Sequence, residues 1–120
     1  MTKILRGLRG ATTATANTSD AILEATQELL AALQAANGFA PEDVESAIFT
    51  TSPDLNADYP ARAARRLGWT EVPLLGAAEV AVQTGLPRCI RVLLHFYTAK
   101  PQRALQHMYL RDAAKLRPDR

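Results

Sequence analysis

The chain has a single cysteine, Cys89, in 120 residues. That excludes a disulfide framework and a thiolate metal cluster, and it suits a reducing compartment. Aromatic residues are scarce, at 6%, and no apolar run approaches the roughly 20 residues that a membrane-spanning helix needs. Excess charge of one sign is also missing, since 14 Lys and Arg stand against 12 Asp and Glu, a formal net charge of +2, and the basic residues are dispersed. The electrostatic stripe of a nucleic-acid binder is therefore not there, and the basic tail KLRPDR carries no motif of that class. The opening MTKILRGLRG sets Arg6 and Arg9 where a secretory leader would be apolar. We expect a cytoplasmic protein with no membrane and no nucleic-acid partner.

What is present is enough apolar residue, 48% of the chain, for one core and one domain over residues 1–120. Lys3 to Thr13 reads as a strand, in which Gly7 and Gly10 imply a bend or the close approach of another element. NTSD at 17–20 supplies a cap, Ile22, Thr26, Leu29 and Leu33 recur at helical spacing, and Asn37 and Gly38 end one long helix. Pro41 opens a short helical turn, SAIFTT at 46–51 reads as a second strand, and PARAARRLG from Pro60 to Gly68 reads as a short helix. Val72 to Leu75 suggests a third strand. RCIRVLLHFY at 88–97 is so nearly continuous in apolar residues that it reads as a strand covered on both faces. A brief strand near His107 to Leu110 and a helical turn before Leu116 complete the chain. This order predicts an α+β fold, a mixed β-sheet with one long helix and short helices. One long helix cannot cover both faces of four or five strands, so the uncovered face argues for a symmetric homo-oligomer.

Candidate sites differ in strength. His95, His107 and Cys89 lack the spacing of zinc ligands, and His95 reads as a core or edge-strand residue. Cys89 lies in an apolar run without a nucleophile elbow and reads as inert packing, although Arg91, two residues on, shares its strand face. The arginines carry more information. Arg62, Arg65 and Arg66 lie on the short helix, where a solvated face explains Arg66. Arg9 and Arg91 sit in strands beside small or apolar residues, where a buried guanidinium costs several kcal/mol, in order of magnitude, unless an anion meets it. Glu79, in the otherwise small and apolar GAAEVAV, is a candidate partner. Arginines converging with one carboxylate and a tyrosine make a pocket for a small polyanion.

Four separated motifs, RGLRGATT, TSPDLNADYPARAAR, CIRV and HMYLRDAAKLRPD, together resemble the monofunctional chorismate mutases of the trimeric α/β type over Ile4 to Asp119. The resemblance implies conversion of chorismate to prephenate without a cofactor, in a homotrimeric pseudo-α/β barrel with sheets inside, helices outside and active sites between subunits. It implies that Arg9 and Tyr109 bind substrate carboxylate, that Arg91 faces the ether oxygen of the breaking bond and that Glu79 meets the ring hydroxyl. Tyr59, Arg62 and Arg65 would come from the adjacent subunit, Leu75 would line the substrate, and Leu116 and Arg117 would belong to a closing C-terminal segment over 111–120. Two positions depart from the family pattern. Gly76 stands where relatives often carry a cysteine or serine, and Tyr59 stands where phenylalanine is usual. A trimeric anion-binding module without catalysis is the competing class, and a cation aimed at developing charge is what separates the two.

Overall fold

The long helix begins where the sequence places its cap. Thr18 has extended backbone and its hydroxyl accepts the Ala21 N–H at 3.1 Å, so α1 runs over Ser19–Asn37. It stops at Gly38, whose left-handed φ of 66° only glycine adopts freely. The computed structural model describes residues 2–116. Around α1 it arranges β1 (Ile4–Thr13), β2 (Val44–Thr51), α2 (Ala61–Arg66), β3 (Leu74–Ala78), β4 (Cys89–Thr98) and β5 (Met108–Tyr109). Short 3-10 segments cover Pro41–Asp43, Gln102–Ala104 and Arg111–Leu116. The fold is α+β, as expected, with one five-stranded mixed sheet in the order β3-β2-β4-β1-β5.

Strand β4 is the middle of the sheet, antiparallel to β1 on one side and to β2 on the other, while β5 joins β1 and β3 joins β2 in parallel. Its even-numbered residues from Ile90 to Phe96 are at most 2% exposed; Val92, Leu94 and Phe96 pack with Leu8, Leu29, Leu33 and Phe49, and Ile90 packs with Ile22 and Ala25 of α1 in a second cluster. Phe39 closes one end of this core, its ring 5.0 Å from Phe96 and 6.1 Å from Trp69. The buried alanines of α2, Ala61, Ala63 and Ala64, let that short helix lie close beside α1. Pro60 precedes α2 with helical backbone, and Gly68 beyond it has a φ of 91°.

Three expectations are corrected. The strand at 88–97 is not covered on both faces in the single chain, because Arg91 and His95 are half-buried and Leu93 and Tyr97 are 37% and 43% exposed. Alternation sends these residues to the side away from α1, which one helix cannot reach. His95 is neither core nor edge, for it lies on the central strand with the Ser46 hydroxyl 3.4 Å from its Nδ1. The third strand is Leu74–Ala78 rather than Val72 to Leu75. Pro73 has no N–H to give the ladder, so pairing starts after it, and its carbonyl accepts from Ala47 at 3.1 Å. The small residues Gly76 to Ala78 pair because the backbone alone makes the bonds to Phe49, Thr50 and Thr51.

Gly10 marks a close approach, as its place in a strand suggests. A Cβ there would lie 2.9 Å from the Leu33 Cδ1 and 3.0 Å from the Leu29 Cδ1, so α1 rests directly on β1. Gly10→Val should therefore cost about 1–3 kcal/mol through overpacking, read as an earlier urea midpoint at equal protein concentration. An unchanged midpoint would show that the helix gives way without cost.

A candidate anion site on the open sheet face

The register builds a row of side chains across the sheet. Thr50 of β2 pairs with Arg91 of β4, Arg91 with Ala11 of β1, and Ala11 with Tyr109 of β5, so all four lie side by side on the face away from α1. One step down, Leu75, Ile48, Leu93 and Arg9 form a second row. Between the rows lies a cavity of about 350 Å³, lined by Arg9, Ala11, Ile48, Thr50, Arg91 and Tyr109 among others. That volume falls within the range of small-molecule sites. Ala11 is the small residue that leaves floor between Arg91 and Tyr109.

Arg91 carries the chemistry of this cavity. Its Nε is buried and finds no hydrogen-bond partner, since the nearest carboxylate oxygen, Glu79 Oε2, is 3.6 Å away. The two side chains are 35% and 32% exposed, so their attraction is screened and adds little to stability. Glu79 follows β3 directly. Its N–H donates to the Thr51 carbonyl at 2.9 Å, one step beyond the β2–β3 ladder, and its Oε2 accepts from the Thr50 hydroxyl at 2.5 Å. Arg91 also lines a second cavity of about 330 Å³ with Glu79, Ser52 and Cys89, so it stands between the cationic space and the carboxylate. Burial pushes the Cys89 thiol up against a smaller downward pull from Arg91, which fits an inert packing residue.

Arg9 and Tyr109 are set by the C-terminal segment. The Arg9 N–H donates to His107 Nδ1 at 3.0 Å, which leaves the ring proton of a neutral imidazole on Nε2. Asn37, buried at the end of α1, accepts the Gln106 N–H at 2.8 Å and donates to the Gln106 carbonyl at 3.0 Å. No group of three or more His, Cys, Asp or Glu able to hold a metal occurs among the described residues.

The other expected site residues are not at this cavity in the single chain. Tyr59, 73% exposed, lines a separate cavity of about 480 Å³ with Asp58 and Gly76. Gly76 pairs with Phe49 and so lies on the opposite face from Arg91, where a side chain at 76 would not point toward Glu79 within one chain. Arg62 is held by Asp58 at 2.8 Å, and Arg65 is exposed on α2. The Ser19 hydroxyl first, then the Tyr59 N–H and Arg62, keep the Asp58 carboxyl below the usual range. Leu75 is 61% exposed on the Arg91 face, and Leu116 is half-buried at the end of the last 3-10 segment. Arg117 lies outside the described residues. Thr50, Asp58 and the His107 ring were not singled out as site groups from sequence. The pairing of Thr50 with Arg91 was in principle readable from the two strands, but Thr in a strand is too ordinary to draw notice.

A cavity lined by two arginines on an uncovered sheet face of an α+β protein suits a small anion, and comparison with known proteins gives the family. The family pattern "Chorismate mutase type I" matches residues 5–120, and the chain belongs to that family. It is 48% identical over 117 residues to Chorismate mutase AroH of Thermus thermophilus, covering 97% of this chain and 96% of that protein. It is 42% identical to Chorismate mutase AroH of Bacillus subtilis (strain 168) over 117 residues, 97% of this chain and 92% of that one. A solved chorismate mutase from Clostridium thermocellum superposes with a TM-score of 0.90 at 42% identity, covering 92% of this chain and 98% of the other.

The turn that leads into β4, and so aims Arg91, has its own support. Asp54 accepts from the Ser52 hydroxyl at 2.5 Å and from the Arg88 N–H at 2.9 Å, where Arg88 has a left-handed φ of 49°. These donors, the Ser52 hydroxyl foremost, hold the Asp54 carboxyl below its ordinary value. A folded pKa below the unfolded 3.8 contributes stability above that value and loses it as pH falls through the lower folded one. Asp54→Asn should thus be less stable than the parent at pH 7, and the two should converge as the pH drops below 3.8. Urea unfolding across pH reads this, and a gap that widens on acidification would contradict it.

Proposed function

We propose that Arg9, Arg91, Glu79 and Tyr109 are the part of a chorismate mutase active site that one chain supplies. In this reading three chains assemble in the cytoplasm as a pseudo-α/β barrel with their open sheet faces inward. Family membership gives the activity, the isomerisation of chorismate to prephenate in aromatic amino-acid biosynthesis. Tyr59, Arg62 and Arg65 of a neighbouring copy complete each site, Leu75 lines the substrate, and residues 111–120, with Leu116 and Arg117, close over it as the end of a single domain.

The rearrangement breaks one carbon–oxygen bond and makes one carbon–carbon bond within one molecule, with no proton transfer and no covalent intermediate. Two demands remain. The flexible side chain of the substrate must be held over the ring, which Arg9 and Tyr109 do by gripping carboxylate groups. Bond breaking runs ahead of bond making, so negative charge grows on the ether oxygen and the ring becomes relatively positive. Arg91 meets the first charge and Glu79 the second, as well as the ring hydroxyl.

One observation carries this reading: the buried Arg91 Nε has no hydrogen-bond acceptor, and the side chain lines a cavity that holds a second arginine. A buried donor left unpaired costs about 1–3 kcal/mol, more when charged. A substrate oxygen arriving there recovers that cost, and a preoriented cation stabilises developing charge without rearranging.

Arg91→Ala should lower kcat by at least about 10²–10³-fold, the effect of losing a preorganised donor, with an unchanged circular dichroism spectrum. Arg91→Lys should also be poor, because an ammonium lacks the planar fork. The assay is loss of chorismate absorbance with prephenate identified, and parental turnover by either variant would overturn the role.

The trimer rests on the exposed apolar residues Leu5, Leu75, Leu93 and Tyr97 of the open face. Sedimentation equilibrium should give three times the chain mass. Tyr97→Glu should lower that mass and abolish turnover together, while a fully active monomer would refute the shared site.

A further inference from the structure

Glu79 is held by β2 at two points, and only one of them is a side chain. The backbone bond to the Thr51 carbonyl sets where residue 79 leaves the ladder. The direction of its carboxylate is then set by Thr50, whose hydroxyl donates to Oε2, the same oxygen that stands 3.6 Å from the Arg91 Nε. Thr50 and Arg91 are register partners on neighbouring strands, so the tether and the cation share one rigid frame. Thr50 itself lines the cationic cavity, whereas Glu79 lies on the far side of Arg91 in the adjoining one.

An unrestrained carboxylate beside a guanidinium whose Nε lacks an acceptor has two easy destinations. It can close the remaining gap and form a direct ion pair, which uses up the positive charge that the transition state needs. It can also swing into water, since it is one-third exposed, and withdraw negative charge from the site. A single charge-assisted hydrogen bond from a β-branched residue blocks both, because Thr rotamers in a strand are few.

We propose that Thr50 is a positioning residue, whose hydroxyl holds Glu79 near Arg91 but out of hydrogen-bond contact with it, so that both charges stay available to the reacting substrate. This rests on the roles given to Arg91 and Glu79 above. Thr50 acts through Glu79 and takes no part in binding the substrate carboxylates, so its loss should fall on kcat rather than on KM.

The variants are Thr50→Val, which keeps the branched shape and the strand preference, Thr50→Ala as a second hydroxyl-free form, and Thr50→Ser, which restores the donor. The valine and alanine forms should lose about ten- to a hundredfold in kcat with chorismate, the size of a lost hydrogen bond to a charged group, with KM within about threefold. The serine form should recover most of kcat. A crystal structure of the valine form should show the Glu79 carboxylate moved, either onto Arg91 or into solvent. Parental kcat in both hydroxyl-free forms would overturn the inference. So would a serine form as poor as alanine, or a kcat loss with Glu79 unmoved, either of which would make Thr50 a packing residue. If the parent protein does not turn chorismate over, the fault lies with the function assigned above. If the parent is active and the variants match it, only the role of Thr50 fails.

Discussion

The structure depends on the period of two along β4. This strand is hydrogen-bonded on both sides, so its alternation cannot relax by fraying as an edge strand's can. Ile90, Val92, Leu94 and Phe96 fall under α1 and make the core, which obliges Arg91, Leu93, His95 and Tyr97 to face the other way. A slip of one residue would bury Arg91 beneath the helix and expose Phe96. The burial of four large side chains therefore holds the position of one charged one. Because the neighbours are in fixed register, the same constraint sets Thr50 and Ala11 beside Arg91 and brings Tyr109 into the row.

Stability and site chemistry are thus assigned to opposite faces of one sheet. The helix face holds the fully buried Leu, Phe and Trp side chains. The open face holds an ion pair too exposed to stabilise much and an arginine nitrogen that lacks an acceptor. Groups on that face can be altered without removing core volume.

Local features were the most legible in the sequence. The Thr18 and Gly38 caps and the short helix after Pro60 each depend on a few adjacent residues whose chemistry permits little else. The faces of β4 were less legible, because Leu93 and Tyr97 are apolar yet lie on the open side, and that erases the alternation by which a half-covered strand is recognised. β3 was displaced because Gly76, Ala77 and Ala78 carry no strand signal of their own and pair only because β2 is there. Among the candidate site residues, Arg9, Arg91 and Tyr109 line one cavity, and Glu79 lies beside Arg91 in the adjoining one. Tyr59, Arg62 and Arg65 do not join them within one chain, and no pattern in a single sequence says which copy a side chain will serve. Thr50 went unseen because the carboxylate it bonds is 29 positions away.

A two-residue strand cannot place a side chain by its own pairing, and β5 has only Met108 and Tyr109. Its position comes from bonds on either side. Before it, the buried Asn37 side chain grips both backbone groups of Gln106, and Lys100 reaches the Asn37 carbonyl at 3.2 Å. After it, the Leu110 N–H donates to the Ala11 carbonyl at 2.9 Å, and Arg111 donates to the Thr13 carbonyl at 3.0 Å while pairing with Glu28 at 3.2 Å. Arg111 adopts a left-handed φ of 53° to do so, a conformation disfavoured for a bulky side chain. The end of α1 and the end of β1 thus act as two anchors, and the short strand between them is stretched into register. The tyrosine that faces Arg91 across Ala11 is held there by the same helix that buries the opposite face of β4.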